Sequence, residues 1–251
     1  LFLAFRGIGF SQTVKINSTI VASKTAYAMR MLENTLGKHG YKLKNTPAKF
    51  TIDLKIDAGK YGPESFGIIP NKTTISIVGG DSRGLIYGSL ALCENIRNGV
   101  ALDKIKATEE KPRYPYRNIK FDLPYDTYRH SYALDLHQET CKDIKYWESF
   151  LDMMAENRFN ILSLWNLHPY VYMIRAKNFP EASPFSDAEM KEWQTLFHGI
   201  LRLAKEREIE TYLVPFNIFV SPEFSKAHNV AMDNLEHHFF VRGDTSEIIK
   251  R

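Results

Sequence analysis

The spacing of apolar residues divides the chain into two parts. In the first part, apolar and polar positions alternate over Phe50–Ile56 and 74–78, which predicts two half-buried strands. Apolar residues at helical spacing predict two amphipathic helices, one through Ala26, Met29, Leu32 and Leu36 and one through Ile86, Leu90, Cys93 and Ile96. Strands mixed with helices over residues 13–110 predict a small α+β module.

After residue 112 the pattern becomes strand, helix, strand, helix, strand. Largely apolar strands are predicted at 117–123, 159–165 and 211–219, with amphipathic helices between them. This alternation is typical of a parallel α/β fold, and both a doubly wound sheet and a (β/α)8 barrel fit it. Residues 109–115 are charged and contain two prolines, so we predict a linker between the two parts.

Capping residues and glycines predict where several elements begin and end. Asp81 is expected to cap the second helix of the first part, and Gly37 to end the first helix. In the second part, Thr140 with Asp143 and Ser186 with Glu189 are expected to open two helices as capping boxes. Residues 13–21 and 61–70 are predicted as extended.

Composition excludes several classes of protein. The 251 residues are 44% hydrophobic and 25% charged, as in ordinary globular domains, and no apolar run approaches the roughly 18 residues of a membrane span. The net charge of +4 is too small and too scattered to point to nucleic acid. Cys93 and Cys141 lack disulfide or metal spacing and are predicted as buried thiols. His237 and His238 have no partner ligands nearby, so neither a metal nor another cofactor is implied.

The first residues resemble a targeting segment. Residues 1–12 are apolar and then turn polar, as at the end of a signal peptide and its cleavage region. We therefore expect an exported protein. The alternative is that these residues form a first buried strand.

A glycine-rich turn leaves a nucleotide-binding alternative open. Residues 79–84 read Gly-Gly-Asp-Ser-Arg-Gly between a predicted strand and a predicted helix. The spacing is not G-x-G-x-x-G and no P-loop Lys-Ser/Thr follows, so we expect a tight turn with a helix cap. A nucleotide-binding α/β protein would rest on this turn alone.

Residues 64–70 and 74–90 resemble the N-terminal accessory domain of β-hexosaminidases and α-glucuronidases. There, an E-x-F/Y strand leads to a strand that ends in a small-residue turn, and a helix with Gly-x-x-Tyr-Gly follows; here that run is Gly84 to Gly88. In those families the module packs against a catalytic barrel and does no chemistry itself. The resemblance implies a hexosaminidase-like accessory domain at residues 13–110.

A second resemblance favours the barrel over the doubly wound sheet. Residues 117–122, Arg-Asn-Ile-Lys-Phe-Asp, with Arg129 and His130, are similar to the first barrel strand of hexosaminidase-like glycoside hydrolases, where an Arg-Gly…Asp…Arg-His pattern opens the barrel. Residues 147–160 and 164–169 resemble the α-glucuronidase-related barrels of polysaccharide-degrading bacteria. Asn118 stands where hexosaminidases have Gly, which favours the glucuronidase side or an uncharacterised relative.

The barrel predicted from this resemblance is incomplete. The predicted strands begin 42 and 52 residues apart, so eight units need about 350 residues, and only 139 follow Pro112. We expect residues 113–251 to hold the first three βα units of a (β/α)8 TIM barrel, in a chain that is a fragment of a longer enzyme. Its open sheet edge is expected to make the isolated chain aggregate or depend on a partner.

Catalytic residues are not assigned. Glycoside hydrolysis usually needs two carboxylates, and in the resembled families these follow strand four and later strands, so they are expected beyond Arg251. Polar residues at the predicted strand ends are candidates for substrate binding: Asp122, Asn166, His168 and Asn217. Asp122 binds a sugar hydroxyl or is a structural partner of Arg117 or Arg129. His168 binds substrate or is a hydrogen-bonded histidine of the barrel rim.

Three further residues complete the candidate set. Trp165 stacks on a sugar or belongs to the core. Arg129 and Arg175 pair with a uronate carboxylate or are solvated surface charges. The candidate substrate-binding residues are therefore Asp122, Arg129, Trp165, Asn166, His168, Arg175 and Asn217.

The sequence thus predicts an exported glycoside hydrolase that acts on oligo- or polysaccharides, of the α-glucuronidase-like or hexosaminidase-like kind. The alternative is a non-catalytic carbohydrate-binding or scaffolding protein built on the same modules. The expected partner is a carbohydrate, with neither nucleic acid nor a membrane span, and the oligomeric state is left open.

Overall fold

The computed structural model describes residues 12–125, 131–166, 169–214 and 221–229. The predicted signal-peptide segment lies outside these ranges except for Gln12. Arg129, His130, His168, Asn217, His237 and His238 also lie outside them. The chain divides into two compact units: Leu1–Pro115 with Glu206–Glu208, and Tyr116–Lys205 with Ile209–Arg251.

The first unit contains a six-stranded mixed sheet. Its strands are β1 (Thr13–Ser18), β2 (Lys42–Leu43), β3 (Phe50–Ile56), β4 (Phe66–Asn71), β5 (Thr74–Gly79) and β6 (Thr108–Glu110). Their order across the sheet is β2-β1-β3-β5-β4-β6. Strands β2, β1, β3 and β5 run parallel, whereas β4 runs antiparallel to β5 and β6.

Two helices complete the core of this unit. They are α1 (Ala22–Lys38) and α2 (Ser82–Arg97), and a short 3-10 turn follows at Leu102–Lys104. Helix α2 packs against α1 and against β5 and β4. The fully buried core includes Leu32, Leu36, Ile52, Ile77 and Leu85. Each such side chain contributes about 1.5–3 kcal/mol through burial, so the two helices are held mainly by this shared apolar core.

The first helix buries part of the predicted face, namely Leu32 and Leu36. Ala28, Leu32 and Leu36 are buried and are spaced by four residues, so they form one continuous row on the helix surface. Ala26 is exposed, because it lies off that row. The helix also continues past Gly37, and the chain turns at Gly40, whose φ of +83° is a left-handed conformation that favours glycine.

The predicted extended segments are shorter in the structure. Strand β1 ends at Ser18, and β4 begins only at Phe66, after a turn through residues 61–65. Glu64 in that turn has a φ of +60°, a left-handed conformation that a strand residue does not adopt, so β4 cannot extend toward the amino end through Glu64.

The glycine-rich turn before α2 is built for close backbone packing. Asp81 is the N-cap and accepts hydrogen bonds from Gly84 N (2.7 Å) and Glu64 N (3.0 Å), as expected for a cap. A Cβ on Gly80 would overlap the carbonyl oxygen of Gly62. The carboxylate of Asp81 already binds the helix terminus, so the turn has a structural role and offers a phosphate no place there.

The second unit contains a three-stranded parallel sheet. Its strands are β7 (Asn118–Asp122), β8 (Ile161–Trp165) and β9 (Glu210–Val214), in the order β7-β8-β9. Its helices are α3 (Tyr132–Leu136), α4 (Gln138–Lys142), α5 (Ile144–Glu156), α6 (Asp187–Glu206) and α7 (Pro222–His228). Short 3-10 turns lie at Pro169–Tyr172 and Pro180–Ala182.

The two faces of this sheet differ. On one face, the Phe121 ring lies 4.8 Å from that of Trp147 and 5.2 Å from that of Phe150, so α5 packs there.

On the other face, the strand register aligns Lys120 with Ser163 and Tyr212 in one row, and Asp122 with Trp165 and Val214 in the next. We call this second side the open face, since Lys120, Asp122, Tyr212 and Val214 on it are exposed. A doubly wound sheet has helices on both faces, whereas a barrel strand turns one face inward, so this is an incomplete (β/α)8 barrel.

Of the two capping boxes predicted in this unit, one is confirmed and the other is wrong. Ser186 and Glu189 form the predicted capping box: Ser186 N donates to Glu189 Oε2 (2.9 Å), and Glu189 N donates to Ser186 Oγ (3.4 Å). The prediction for Thr140 is wrong. Thr140 lies inside α4, and Asp143, with extended ψ, ends that helix and caps α5 by accepting from Lys145 N.

Two further findings concern function classes. Cys93 and Cys141 are free and buried, as predicted. Among the described helices, none has the length and apolar character needed to cross a membrane.

Candidate functional site

The candidate site lies at the carboxyl end of β7 and β8, on the open face. Lys120 and Asp122 are two residues apart on β7, so their side chains point to the same side of the sheet. Strand pairing places Trp165 of β8 next to Asp122. These three side chains form what we call the Lys120–Asp122–Trp165 cluster.

The cluster is held together by charge. Lys120 Nζ lies 2.5 Å from Asp122 Oδ1, and the same ammonium lies 4.5 Å from the centroid of the Trp165 ring. A cation over an indole face is attracted by the ring quadrupole, and the ion pair adds a charge-assisted hydrogen bond. The ammonium is therefore fixed by two neighbours.

The cluster combines exposed charges with a buried ring. The side chains of Lys120 and Asp122 are 55% and 51% exposed, whereas Trp165 is only 6% exposed. Trp165 thus offers its ring to the lysine ammonium more than to solvent. The groups that a ligand would meet first are the ammonium and the carboxylate.

Lys120 was missed by sequence reasoning, although a signal for it existed. Asn118, Lys120 and Asp122 alternate along β7 with Ile119 and Phe121, and a half-buried strand in such a pattern presents its polar residues to the less covered face. The predicted barrel topology makes that face the interior. A lysine there is as much a candidate as the aspartate two residues later.

Ser163 and Arg117 form hydrogen bonds outside the cluster. Ser163, the neighbour of Lys120 on β8, donates from its Oγ to Asn118 Oδ1 (3.1 Å), and Asn118 lies one row nearer the amino end of the strands. Arg117 Nε donates to the carbonyl oxygen of Arg158. Of the two structural alternatives for Asp122, Arg129 lies outside the described residues, and the ion pair that the structure shows is with Lys120.

Asn166 lies behind the cluster rather than on the open face. It is fully buried, its Nδ2 donates to Tyr125 O (3.4 Å), and no described residue donates to its Oδ1. Tyr125 follows β7, so Asn166 ties together the segments that leave β7 and β8.

Several aromatic side chains surround Tyr125. The Tyr125 ring lies 4.7 Å from Trp193 and 5.6 Å from Tyr172, and Tyr172 lies 5.2 Å from Phe185. Burial, followed by the influence of Cys141 and Tyr172, raises the pKa of the Tyr125 hydroxyl far above its ordinary value. Tyr125 is therefore a neutral core residue over the physiological pH range.

Arg175 does not reach the cluster by its observed contacts. Its Nη1 donates to Asp187 Oδ1 (2.7 Å) and its Nη2 to the carbonyl oxygen of Phe185, at the start of α6. The structure thus brings together Asp122 and Trp165, places Asn166 behind them and Arg175 at the helix start. Arg129, His168 and Asn217 lie outside the described residues. Within the described ranges, no group of three or more His, Cys, Asp or Glu side chains is arranged to hold a metal.

Solved structures that are similar to this chain include glycoside hydrolases. A GH138 enzyme targeting the pectin rhamnogalacturonan II aligns with a TM-score of 0.79 and 24% identity over 94% of this chain and 35% of its own. CpGH84B aligns at 0.51 and 13% identity, over 86% of this chain and 36% of its own. The β-N-acetylhexosaminidase from Bacteroides fragilis NCTC 9343 aligns at 0.51 and 14% identity, over 82% of this chain and 40% of its own.

These likenesses confirm the predicted fold. The chain resembles hexosaminidase-like glycoside hydrolases in its fold and aligns with part of their TIM-barrel structures. It spans about a third of the length of the GH138 enzyme. No family model matches the sequence, and no curated protein matches it.

Proposed function

We propose that this chain is part of a glycoside hydrolase that acts on oligo- or polysaccharides. The observation that carries the proposal is the open face of the partial barrel, with the Lys120–Asp122–Trp165 cluster at the carboxyl ends of its strands. Barrel enzymes bind their substrates at that end. An exposed ammonium and carboxylate there supply the donor and the acceptor that sugar hydroxyls need.

A pectic polysaccharide is the first substrate to test. The GH138 relative is described as targeting a pectin, and the sequence resembles α-glucuronidase-related barrels more than strict hexosaminidases at Asn118. A polysaccharide of that size does not enter a cell intact, which agrees with the export expected from residues 1–12.

Asp122 is proposed as a binding residue rather than a catalytic acid. Hydrolysis needs two carboxyl groups about 5–9.5 Å apart across the scissile bond. Asp122 is already paired with Lys120, and it is the carboxylate that the described strands place at this end of the open face. The catalytic pair is expected on later strands of the complete enzyme.

The test is a hydrolysis assay with the product of the complete reading frame. Rhamnogalacturonan II fragments, galacturonide and glucuronide oligosaccharides, and aryl N-acetylhexosaminides are incubated with the protein, and released reducing ends are measured. We expect release from at least one pectic oligosaccharide. Binding to such oligosaccharides without any release would favour the non-catalytic carbohydrate-binding protein. The absence of both binding and release for every one of these substrates would refute the proposal.

A further inference from the structure

We propose that Lys120 and Asp122 form a subsite that binds two neighbouring hydroxyl groups of an uncharged sugar ring. This inference rests on the proposed function. It adds the class of sugar that meets this part of the barrel, and it assigns Lys120 a role in substrate recognition.

The first step of the argument is the fixed position of the ammonium. Lys120 Nζ is held by Asp122 Oδ1 at 2.5 Å and by the Trp165 ring at 4.5 Å. A free lysine side chain loses rotamer entropy when a ligand orders it. Here much of that ordering has taken place before a ligand arrives, so the group is organised for binding.

The second step is the chemistry that the pair presents. An ammonium has three donors and no acceptor, and a carboxylate has only acceptors. One of the three donors of Lys120 points to Asp122. A sugar hydroxyl can therefore accept from Nζ while its neighbour on the ring donates to Asp122, so that both hydroxyls keep the hydrogen bonds they had in water.

The third step is the charge of the subsite. The ammonium and the carboxylate cancel, so the pair carries no net charge toward a ligand. A uronate carboxylate brought to Lys120 would also approach the carboxylate of Asp122, and like charges at such a distance disfavour each other. The pair thus discriminates against an acidic group at this position, even if the polysaccharide as a whole is acidic.

The fourth step is the location of the pair. Both side chains lie on the face that a complete barrel turns inward, and Trp165 beside them is buried. Asp122 lies in the last row of the open face and Lys120 in the row before it, at the carboxyl end where barrels bind substrate.

The chain contains a matched control for this arrangement. Lys142 lies 2.8 Å from Glu139 and 5.5 Å from the Trp193 ring centroid, so it repeats the combination of lysine, carboxylate and tryptophan. Lys142 belongs to helix α4 and not to the open face. Lys142→Met should therefore change sugar binding little.

The experiment measures dissociation constants by NMR titration of the product of the complete reading frame with methyl galactopyranoside, methyl rhamnopyranoside and galacturonate. The variants are Lys120→Met, Asp122→Asn and Lys142→Met, each checked by its amide spectrum for retained folding. We expect the unsubstituted chain to prefer an uncharged glycoside over galacturonate. Lys120→Met should weaken that binding at least about tenfold, the effect of losing a hydrogen bond to a charged group, and Lys142→Met less than about twofold.

Asp122→Asn separates recognition from folding. It should weaken binding of the uncharged glycoside and strengthen binding of galacturonate, because the ammonium is then no longer neutralised. A variant that merely misfolds would lose both ligands. Preference of the unsubstituted chain for galacturonate, or unchanged binding in Lys120→Met, would overturn this inference while leaving the proposed function intact. Binding of none of the three sugars would overturn sugar recognition at this face altogether.

Discussion

Replacement of Trp147 tests how the barrel strands are supported from outside. Trp147 is fully buried on α5, and its ring lies 4.8 Å from that of Phe121 on β7. Its Nε1 donates to the carbonyl oxygen of Cys141 (2.8 Å). This one side chain therefore connects the sheet, α5 and the end of α4.

The magnitude follows from these contacts. Trp147→Ala removes a buried indole and leaves a cavity, which costs about 3–5 kcal/mol. Trp147→Phe keeps most of the ring and removes the hydrogen bond, so the buried carbonyl of Cys141 loses its partner at a cost of about 1–3 kcal/mol. The two variants should thus be clearly separated, with the alanine variant less stable.

The assay is urea unfolding followed by circular dichroism, since loss of a tryptophan complicates fluorescence. Tyr132→Ala is the control, because Tyr132 is 82% exposed and its removal should change the free energy of unfolding by less than about 0.5 kcal/mol. A loss below about 1 kcal/mol for Trp147→Ala would refute the packing of α5 against β7.

Three further predictions concern local chemistry. Burial, and then a hydrogen bond to Glu109, raises the pKa of Tyr61 to about 12, so absorbance should show a tyrosine that ionises far above pH 10. Because the raised pKa favours the protonated folded state, the stabilisation is present below pH about 10 and is lost as the pH rises toward about 12. Gly80→Ala should lower the free energy of unfolding by about 1–3 kcal/mol, whereas Gly37→Ala should raise it by about 0.5–1 kcal/mol, as urea titration can measure. Ser186→Ala should cost about 1 kcal/mol by thermal melting, through loss of the capping box.

Each of these predictions has a contradicting result. A tyrosine titration complete by pH about 10.5 would show that Tyr61 is not desolvated. Gly80 and Gly37 form a matched pair, since a Cβ at Gly80 meets backbone and a Cβ at Gly37 meets nothing within 4 Å. Equal effects of the two alanines would contradict the packing of the turn. An unchanged melting temperature in Ser186→Ala would contradict the cap.

Local pattern was enough to predict elements that are fixed by nearby residues. Strand β3 has the predicted bounds because its alternation is regular, and the caps at Asp81 and Ser186 depend on partners three residues away. The buried face of α1 was predicted only in part. Ala28, Leu32 and Leu36 form its buried row, whereas Ala26, at the start of the predicted series, lies off that row and is exposed.

The candidate site was only partly predictable, since strand register and distant partners decide it. Asp122 and Trp165 are far apart in sequence and become neighbours through the pairing of β7 with β8. Arg175 was a candidate for a uronate carboxylate, and in the structure it pairs with Asp187, a contact that the sequence did not indicate. Lys120 shares the alternation of β7 with Asp122, so the same pattern that indicated Asp122 also indicates Lys120.

The central claim is that sugar binds on the open face of the barrel strands, and its most direct test is to map the binding site by NMR. Amide resonances of the deuterated product of the complete reading frame are followed during titration with pectic oligosaccharides. We predict saturable shifts at residues 120–122 and 163–166, with resonances of 50–79 in the first unit unchanged. Shifts confined to the first unit, or no shift at saturating sugar, would contradict the account.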